Sequence, residues 1–201
     1  GQTGGGAPVV LTTKAGHNAE NHNQNDVGSF IFHLDGESLL CDPGRGLYSR
    51  DYFSPRRYEN PFANSFGHNV PRVGGQLQSP GRAAAGQINV FDANGPEKQV
   101  WMDIGDAYDL PGLERIERRL GLWEPSGELT LEDTFWVTGR DLPVEEALVT
   151  WMDVTVSDST ARITGERHVL TLAVEAPGGA EFRLAVLEEE ALDPMLRPLQ
   201  L

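Results

Sequence analysis

Apolar and polar residues alternate along most of this chain with a period close to two, which is the pattern of half-buried β-strands. The alternating runs cover residues 8–16, residues 28–42 and most of the chain beyond residue 86. Turn-forming pairs interrupt the runs and predict tight turns at Asp35–Gly36, Asn94–Gly95 and Gly178–Gly179. Short strands at regular spacing predict an all-β fold: a single antiparallel, sandwich-like domain of stacked sheets over residues 1–201.

Residues 111–124, PGLERIERRLGLWE, fit two structures. As a helix, the segment places Leu113, Ile116 and Leu120 on one face and Glu/Arg pairs on the other. As a strand, it exposes its arginines. Because the neighbouring segments are all predicted strands, we favour a strand here.

The alternation stops between Pro43 and Ala85, and a long loop is predicted at about 43–85. Loops of this length in compact domains are usually functional or disordered. Four Tyr and Phe residues between Tyr48 and Tyr58 favour an ordered loop. The loop also holds six of the 16 Lys and Arg residues, namely the arginines at 45, 50, 56, 57, 72 and 82. It therefore forms a local positive patch.

The composition of the chain limits the kinds of partner that it can bind. The net charge of −14 disfavours nucleic acid and anionic membranes. The sequence contains no run of 18 apolar residues, so membrane insertion is not expected. The one cysteine, Cys41, excludes an intrachain disulfide, and its neighbours predict a buried, unreactive thiol. The first residues, GQTGGGAPVV, lack a signal-peptide pattern, so we expect a processed leader or a piece of a longer protein.

Amide and imidazole side chains crowd into residues 14–26, KAGHNAENHNQND, just before the strand predicted from Gly28. Asparagine side chains readily bond nearby backbone groups. We therefore expect the amides to brace a loop that presents His22, with Asp26 shaping the turn into the strand. The bracing residues are Asn21, Asn23 and Asn25.

Four groups could converge on one site: His22, Asp42, the tyrosines at 48 and 58, and His68. Histidine and carboxylate suit zinc, and a catalytic zinc typically has three protein ligands and an open position. A structural alternative stays open, in which Asp42 caps a strand end and His68 is a hydrogen-bonded turn histidine.

Several of these elements occur in one order: HNAENHNQNDVGSF, the Asp35–Gly36 turn, LLCDPG, the RRY of the loop and GHN. In this order, over residues 14–90, the sequence resembles the C-terminal β-domain of the heparinase II/III-like polysaccharide lyases. The resemblance implies a β-domain that packs against an N-terminal α/α toroid, with the active site between them. It implies β-elimination on an anionic, uronate-containing polysaccharide or oligosaccharide. The toroid is absent from this sequence, so we expect the chain alone to be inactive or very weak.

The resemblance also assigns roles to residues. His22 matches a histidine that acts on the substrate, and Tyr58 matches a tyrosine expected in substrate contact or proton transfer. Arginine suits a uronate carboxylate through bidentate contacts. The expected substrate-binding residues are Arg56, Arg57, Tyr48 and Asn21.

Asp42 and His68 match two ligands of a zinc ion that is mainly structural in the family. The third ligand is normally histidine, and this sequence has Gln24 at that position. A neutral amide is a weaker zinc ligand than imidazole. We therefore expect weak binding, recruitment of His17, Glu20 or His22 as a ligand, or a metal-free polar cluster.

Two other functions remain open: a non-catalytic glycan-binding or scaffold domain with a degraded metal site, and a metal-stabilised β-domain of unrelated enzymology. By resemblance, we expect a bacterial protein that is periplasmic or secreted, without excluding the cytoplasm.

Overall fold

The computed structural model describes residues 1–139 and 141–187. The acidic segment 187–201, LEEEALDPMLRPLQL, is predicted from its sequence to be a solvated end that docks a few leucines, and all of it beyond residue 187 lies outside the described residues. Thirteen strands form in the described residues: Val9–Thr13 (β1), Gly16–Asn18 (β2), Phe30–Leu34 (β3), Glu37–Leu40 (β4), Pro71–Val73 (β5), Gly81–Asp92 (β6), Glu97–Asp103 (β7), Leu113–Trp123 (β8), Glu128–Val137 (β9), Val144–Glu146 (β10), Asp153–Ser157 (β11), Thr160–Thr164 (β12) and Val169–Ala173 (β13). The helices are short 3-10 turns at Asp51–Phe53, Pro55–Glu59, Ser65–Gly67 and Gly105–Ala107. None of these described helices has the length and apolar character needed to cross a bilayer.

The strands form four antiparallel sheets. The largest has the order β2-β6-β7-β8-β9, and two three-stranded sheets have the orders β1-β3-β4 and β11-β12-β13. Strands β10 and β5 pair separately. The predicted all-β, sandwich-like fold is confirmed.

One apolar core joins the sheets. The large sheet contributes Met102, Ile116 and Leu120, and the facing sheets contribute Phe32 and Ile163, all buried in a single cluster. Burial alternates along β8, where residues 116, 118, 120 and 122 face the core. Residues 111–124 therefore contain a strand, as favoured, and not a helix.

Two of the three turn predictions mark hairpins. Asp35 and Gly36 both have positive φ, 48° and 90°, as a type I′ turn between β3 and β4 requires. Asn94–Gly95 lies in the turn between β6 and β7. Gly178–Gly179 forms a turn, but the described residues that follow it, 180–187, contain no strand.

The predicted loop at 43–85 is ordered but shorter than expected. Three of the 3-10 helices lie between residues 51 and 67, and two of them begin with a side-chain cap: Ser54 accepts from the Arg56 amide and Asn64 from the Phe66 amide. Strands β5 and β6 occupy its second half. Strand β5 and the start of β6 could not be predicted from the sequence, because these segments contain few large aliphatic residues.

From the sequence, the four tryptophans lie on predicted strands and are expected to be mostly core residues, but two of them are exposed. Trp123 and Trp136 are 43% and 39% exposed on the outer face of the large sheet. The Trp136 ring lies under the Arg115 guanidinium, whose Cζ is 4.8 Å from the ring centroid. Trp101 lies in the same way under Arg119, at 4.4 Å. These rings cover the sheet with cation–π pairs and do not fill the sandwich.

Arg118 is the largest fully buried side chain and faces the core from β8. Its guanidinium bonds Asp133 on β9 at 2.5 and 2.9 Å and Glu146 on β10 at 2.6 Å. It also donates to the backbone carbonyls of Gly28 and Asn69, at 2.9 and 2.6 Å. Burial alone lowers the pKa of Arg118, but these carboxylates raise it above its ordinary value. Arg118 thus joins three strands and two loops as a fixed charge.

Replacing Arg118 by methionine should destabilise the fold by about 3–5 kcal/mol, because it leaves buried carboxylates and carbonyls without a donor. Urea unfolding measures this. The matched control is Arg162→Met, since Arg162 is exposed on β12, and it should change stability by no more than about 0.5 kcal/mol. Equal effects of the two substitutions would contradict the role of Arg118.

Glu37 ties the β3–β4 hairpin to the turn before β13. Its carboxylate accepts from the backbone amides of Glu166 at 2.5 Å, Arg167 at 3.2 Å and His168 at 3.0 Å. Burial raises the pKa of Glu37, but these donors outweigh it and lower the pKa overall. His168 also lies 3.2 Å from Asp35, while His33 is half-buried and contacts Ser38 at 3.1 Å.

A lowered pKa makes Glu37 stabilising above the ordinary glutamate pKa of about 4.3, and the contribution is lost as pH falls through the folded-state pKa. Glu37→Gln should therefore be less stable than wild type at pH 7, with the difference shrinking below about pH 4. Urea midpoints across this pH range measure it, with exposed Glu128→Gln as control. A difference that grows towards acid pH would contradict this assignment.

Candidate functional site

Amide side chains brace the segment between β2 and β3, as the sequence predicted for this loop. The buried Gln78 bonds both backbone groups of Val27, accepting from its amide at 3.0 Å and donating to its carbonyl at 2.7 Å. Asn18 donates to the Gln78 side chain at 3.2 Å, and Asn25 to the Gln78 carbonyl at 3.2 Å. Buried amides with these partners fix the loop that carries His22.

Asn69 holds the loop that follows His68. Its side-chain amide donates to the carbonyls of Phe30 at 2.6 Å and Cys41 at 3.0 Å and accepts from the Val149 amide at 2.5 Å. Since Asn69 is fully buried and its neighbour is His68, these bonds fix the backbone from which the His68 side chain extends. The end of β4 and the 65–69 loop are therefore joined.

Asp26, Asp42 and His68 come together at this junction, and one ligand atom from each lies within 4.8 Å of the others. His68 is 0% exposed, and no described residue forms a hydrogen bond with either ring nitrogen. Its Nδ1 lies 3.3 Å from Oδ2 of Asp42 without the alignment of a hydrogen bond. A cavity of about 240 Å³ adjoins the two carboxylates. One imidazole and two carboxylates are donors that zinc accepts, so these residues fit a divalent cation.

The electrostatics of the junction favour an ionised Asp42 and a protonated Cys41. Burial raises the pKa of Asp42, but His68 and the Gly44 amide lower it overall. Burial, together with the Asp42 charge, raises the pKa of the Cys41 thiol to about 12. The buried, unreactive thiol predicted from the sequence has this physical basis.

Gln24 uses its side-chain amide group to donate to the Gly44 carbonyl at 2.6 Å. Gly44 in turn donates to the Asp42 carboxylate at 2.7 Å. Gln24 therefore braces the turn that positions Asp42. Its role as a metal ligand stays a prediction.

His22 belongs to an exposed aromatic cluster. Its φ of 59° is uncommon outside glycine and points to a local constraint. Its Nδ1 lies 3.3 Å from the Tyr48 hydroxyl, and its ring contacts those of Tyr48 and Phe53 at 5.8 and 5.9 Å. Arg45 covers the Tyr48 ring at 4.5 Å. Of the cluster, only Tyr52 is buried, at 2% exposure, and it anchors the other rings.

Tyr58 and Arg57 lie beside this cluster and bind the His22 loop. The Tyr58 hydroxyl donates to the Asn23 side chain at 3.2 Å, and Arg57 donates to the Asn23 carbonyl. The Arg57 guanidinium also lies over the Tyr52 ring at 4.6 Å. The structure thus brings His22, Tyr48, Tyr58 and Arg57 to one surface.

The other two predicted binding residues differ from these. Arg56 is exposed and paired with Glu59 at 2.8 Å and Asp51 at 3.3 Å, so a substrate carboxylate must compete with two carboxylates for it. Asn21 is exposed beside His22, and its side chain forms none of the loop's hydrogen bonds given above. The bracing predicted for the asparagines is carried by Asn18, Asn23 and Asn25.

Sequence reasoning missed Asn69, Gln78 and Arg118 and gave Asp26 a turn-shaping role alone. Arg118 had a signal, because it occupies an inward position in the alternation of β8. Gln78 and Asn69 had none, since nothing in a polar loop distinguishes a buried amide from a solvated one.

Comparison with known proteins places the chain in a family. A family model described as heparinase II/III-like, C-terminal, matches residues 5–190. Among curated protein sequences, none matches the chain significantly. A solved heparan sulfate lyase HepC from Pedobacter heparinus is similar in fold, with a TM-score of 0.62 and 17% identity over 79% of this chain. A solved heparinase III has a TM-score of 0.62 and 15% identity, also over 79% of this chain. The match covers 24% of each of those chains, so this chain spans about a quarter of their length. Since the family model covers most of the sequence, the chain belongs to the heparinase II/III-like family and corresponds to its C-terminal region.

Proposed function

We propose that this chain is the single β-domain of a polysaccharide lyase that cleaves uronate-containing glycans by β-elimination. The observation that carries the proposal is the exposed surface on which His22 and Tyr48 share a hydrogen bond beside Tyr58 and Arg57. Proton-transfer groups, ring faces and cations meet there on a chain of net charge −14. A local cationic, aromatic surface on an acidic protein suits an anionic sugar chain.

The reaction assigns different work to these groups. A base removes the proton at C5 of the uronate, an acid protonates the leaving oxygen at C4, and oriented donors stabilise the enolate-like charge. His22 and Tyr58 take the proton-transfer roles. Arg57, Arg56, Tyr48 and Asn21 contact the substrate, with Arg57 the stronger candidate because Arg56 is paired with Asp51 and Glu59.

The remaining groups come from an N-terminal α/α toroid that faces this surface. The chain spans about a quarter of the length of the relatives that share its fold, which leaves room for such a domain in the complete protein. Exposed rings at Phe53, Phe66 and Tyr48 suit a surface covered by another domain. We infer that the chain alone has little or no lyase activity.

A zinc ion has a structural role in this proposal. Asp42 and His68 would hold it, and the buried imidazole of His68, whose ring nitrogens form no well-aligned hydrogen bond with any described residue, supports a ligand there. When bound, the ion supplies a positive charge that links the end of β4 to the 65–69 loop. A third ligand would come from Gln24, through its side-chain oxygen, or from Asp26.

The substrate class and location follow by likeness. Two structures of similar fold are titled heparinase III and heparan sulfate lyase, which supports an anionic glycosaminoglycan or a related uronate polymer. We place the protein in the periplasm or outside a bacterial cell, where such polymers are met, with cytoplasmic action on imported oligosaccharides as the variant.

One other function has an observation in its favour. A glycan-binding or scaffold domain without catalysis needs neither a complete metal site nor free arginines, and both Gln24 and the paired Arg56 suit it. Such a domain binds the glycan through the same aromatic surface and leaves it intact.

His22→Ala in the complete protein should lower lyase turnover by about 100-fold or more, because it removes a proton-transfer group. The C4–C5 double bond formed by elimination absorbs in the ultraviolet, so absorbance measures turnover directly. His33→Gln is the control, since His33 lies on β3 and bonds Ser38. Unchanged turnover in His22→Ala would remove His22 from the mechanism.

The same assay separates the candidate functions. Cleavage without ultraviolet absorbance indicates a hydrolase and contradicts the lyase proposal. Glycan binding by the complete protein without cleavage supports the scaffold function.

A further inference from the structure

The side chain of Lys14, the residue after β1, places an ammonium group at the junction of Asp26, Asp42 and His68. Lys14 Nζ lies 2.5 Å from Oδ1 of Asp26. The lysine side chain is 44% exposed, whereas that of Asp26 is 8% exposed. A cation reaching in from solvent therefore neutralises an almost buried carboxylate.

We propose that Asp26, and not Gln24, is the third ligand of the cation site, and that Lys14 competes with the cation for it. Either the Lys14 ammonium or a divalent cation binds the Asp26 carboxylate, but not both at once. This inference rests on the metal site of the proposed function. It adds a regulating residue and a ligand that the family resemblance does not supply.

The ligand assignment follows from the charge of each side chain and from its distance to the other ligands. Gln24 donates its side-chain nitrogen to the Gly44 carbonyl at 2.6 Å, which leaves only its neutral Oε1 as a possible ligand. Asp26 lies with Asp42 and His68 in a group whose ligand atoms are all within 4.8 Å of one another. A carboxylate carries a charge that a neutral amide lacks, so Asp26 binds a divalent cation more strongly than Gln24.

The competition follows from charge. An ammonium in contact with Asp26 repels a divalent cation that uses the same carboxylate, so the two exclude each other. Desolvation makes this exclusion stronger than at the surface, since Asp26 is buried and His68 is 0% exposed.

The local structure allows Lys14 to leave without disturbing the fold. Its backbone is fixed to the far end of the loop, because its amide donates to Ser29 at 3.2 Å and its carbonyl accepts from Gly28 at 2.9 Å. The cavity of about 240 Å³ is lined by Thr12, Thr13, Lys14 and both carboxylates, so the side chain has space beside the site. Only side-chain torsions need to change.

The chain offers a matched control, because Lys14 and Lys98 are its two lysines. Zinc affinity is measured by calorimetric titration of wild type, Lys14→Met, Lys98→Met, Asp26→Asn and Gln24→Ala. We expect Lys14→Met to bind zinc about tenfold more tightly or better, and Asp26→Asn about tenfold more weakly or worse. Lys98→Met should match wild type, and Gln24→Ala should weaken zinc binding less than Asp26→Asn does, because it removes only the brace of the turn at Gly44. Urea midpoints verify that each variant is folded.

The outcomes separate this inference from the metal site itself. Equal zinc affinity in wild type and Lys14→Met overturns the competition. The metal site itself still stands in that case if His68→Ala abolishes zinc binding. If Gln24→Ala abolishes zinc binding and Asp26→Asn leaves it unchanged, the ligand assignment is overturned. Absence of zinc binding in both wild type and Lys14→Met overturns this inference and the metal site together.

A second measurement does not depend on affinity. Zinc should speed acetylation of Lys14 by a lysine-specific reagent, followed by mass spectrometry, because the displaced ammonium loses its carboxylate partner. Lys98 is the internal reference and should react at the same rate with and without zinc. An unchanged or slower rate at Lys14 on zinc binding contradicts the displacement.

Discussion

The site depends on the hydrogen bonds and ion pairs of the buried Arg118 guanidinium. One planar cation bonds Asp133 and Glu146 and two carbonyls, at Gly28 and Asn69, that belong to different loops. Those two loops carry Asp26 on one side and His68 on the other. A charge with no exposure must satisfy its donors inside the protein, so β8 and both loops hold a fixed mutual position. The amides of Gln78 and Asn69 then extend this fixed frame to Val27 and to the end of β4.

The frame supports two neighbouring surfaces with different chemistry. The Asp26, Asp42 and His68 junction is nearly buried and suits a small cation, whereas the His22, Tyr48 and Tyr58 surface is open and suits a sugar chain. The two are linked covalently through residues 22–26, where Asn23 bonds Tyr58 and Gln24 braces Gly44. A change in the cation junction therefore has a short path to His22. Under the proposed function, the open surface contributes part of an active site and is the surface that the rest of the protein covers.

Much of the fold could be predicted from the sequence because strand alternation records burial directly. The hairpin at Asp35–Gly36 and the strand character of β8 follow from local rules. The tryptophans were misassigned because alternation gives the two faces of a strand without telling which outward residues pair with arginine. The short 3-10 helices and β5 lie in a segment with no period to detect. At the site, pairing of Asp42 with His68 came from resemblance, whereas the Asp26–Lys14 pair joins positions whose proximity depends on the β1 pairing and the loop frame. Buried amides such as Gln78 give no signal in a single sequence.

Contacts within this chain alone order the site loops. Amide hydrogen exchange measures this order residue by residue. The Val27, Asn69 and Gln78 amides each bond a side-chain oxygen and are buried. Their exchange should be as slow as that of the core strands β7 and β8, because opening them requires breaking the frame around Arg118. If these amides exchange as fast as those of exposed loops while β7 and β8 stay protected, contacts within this chain do not order the site loops.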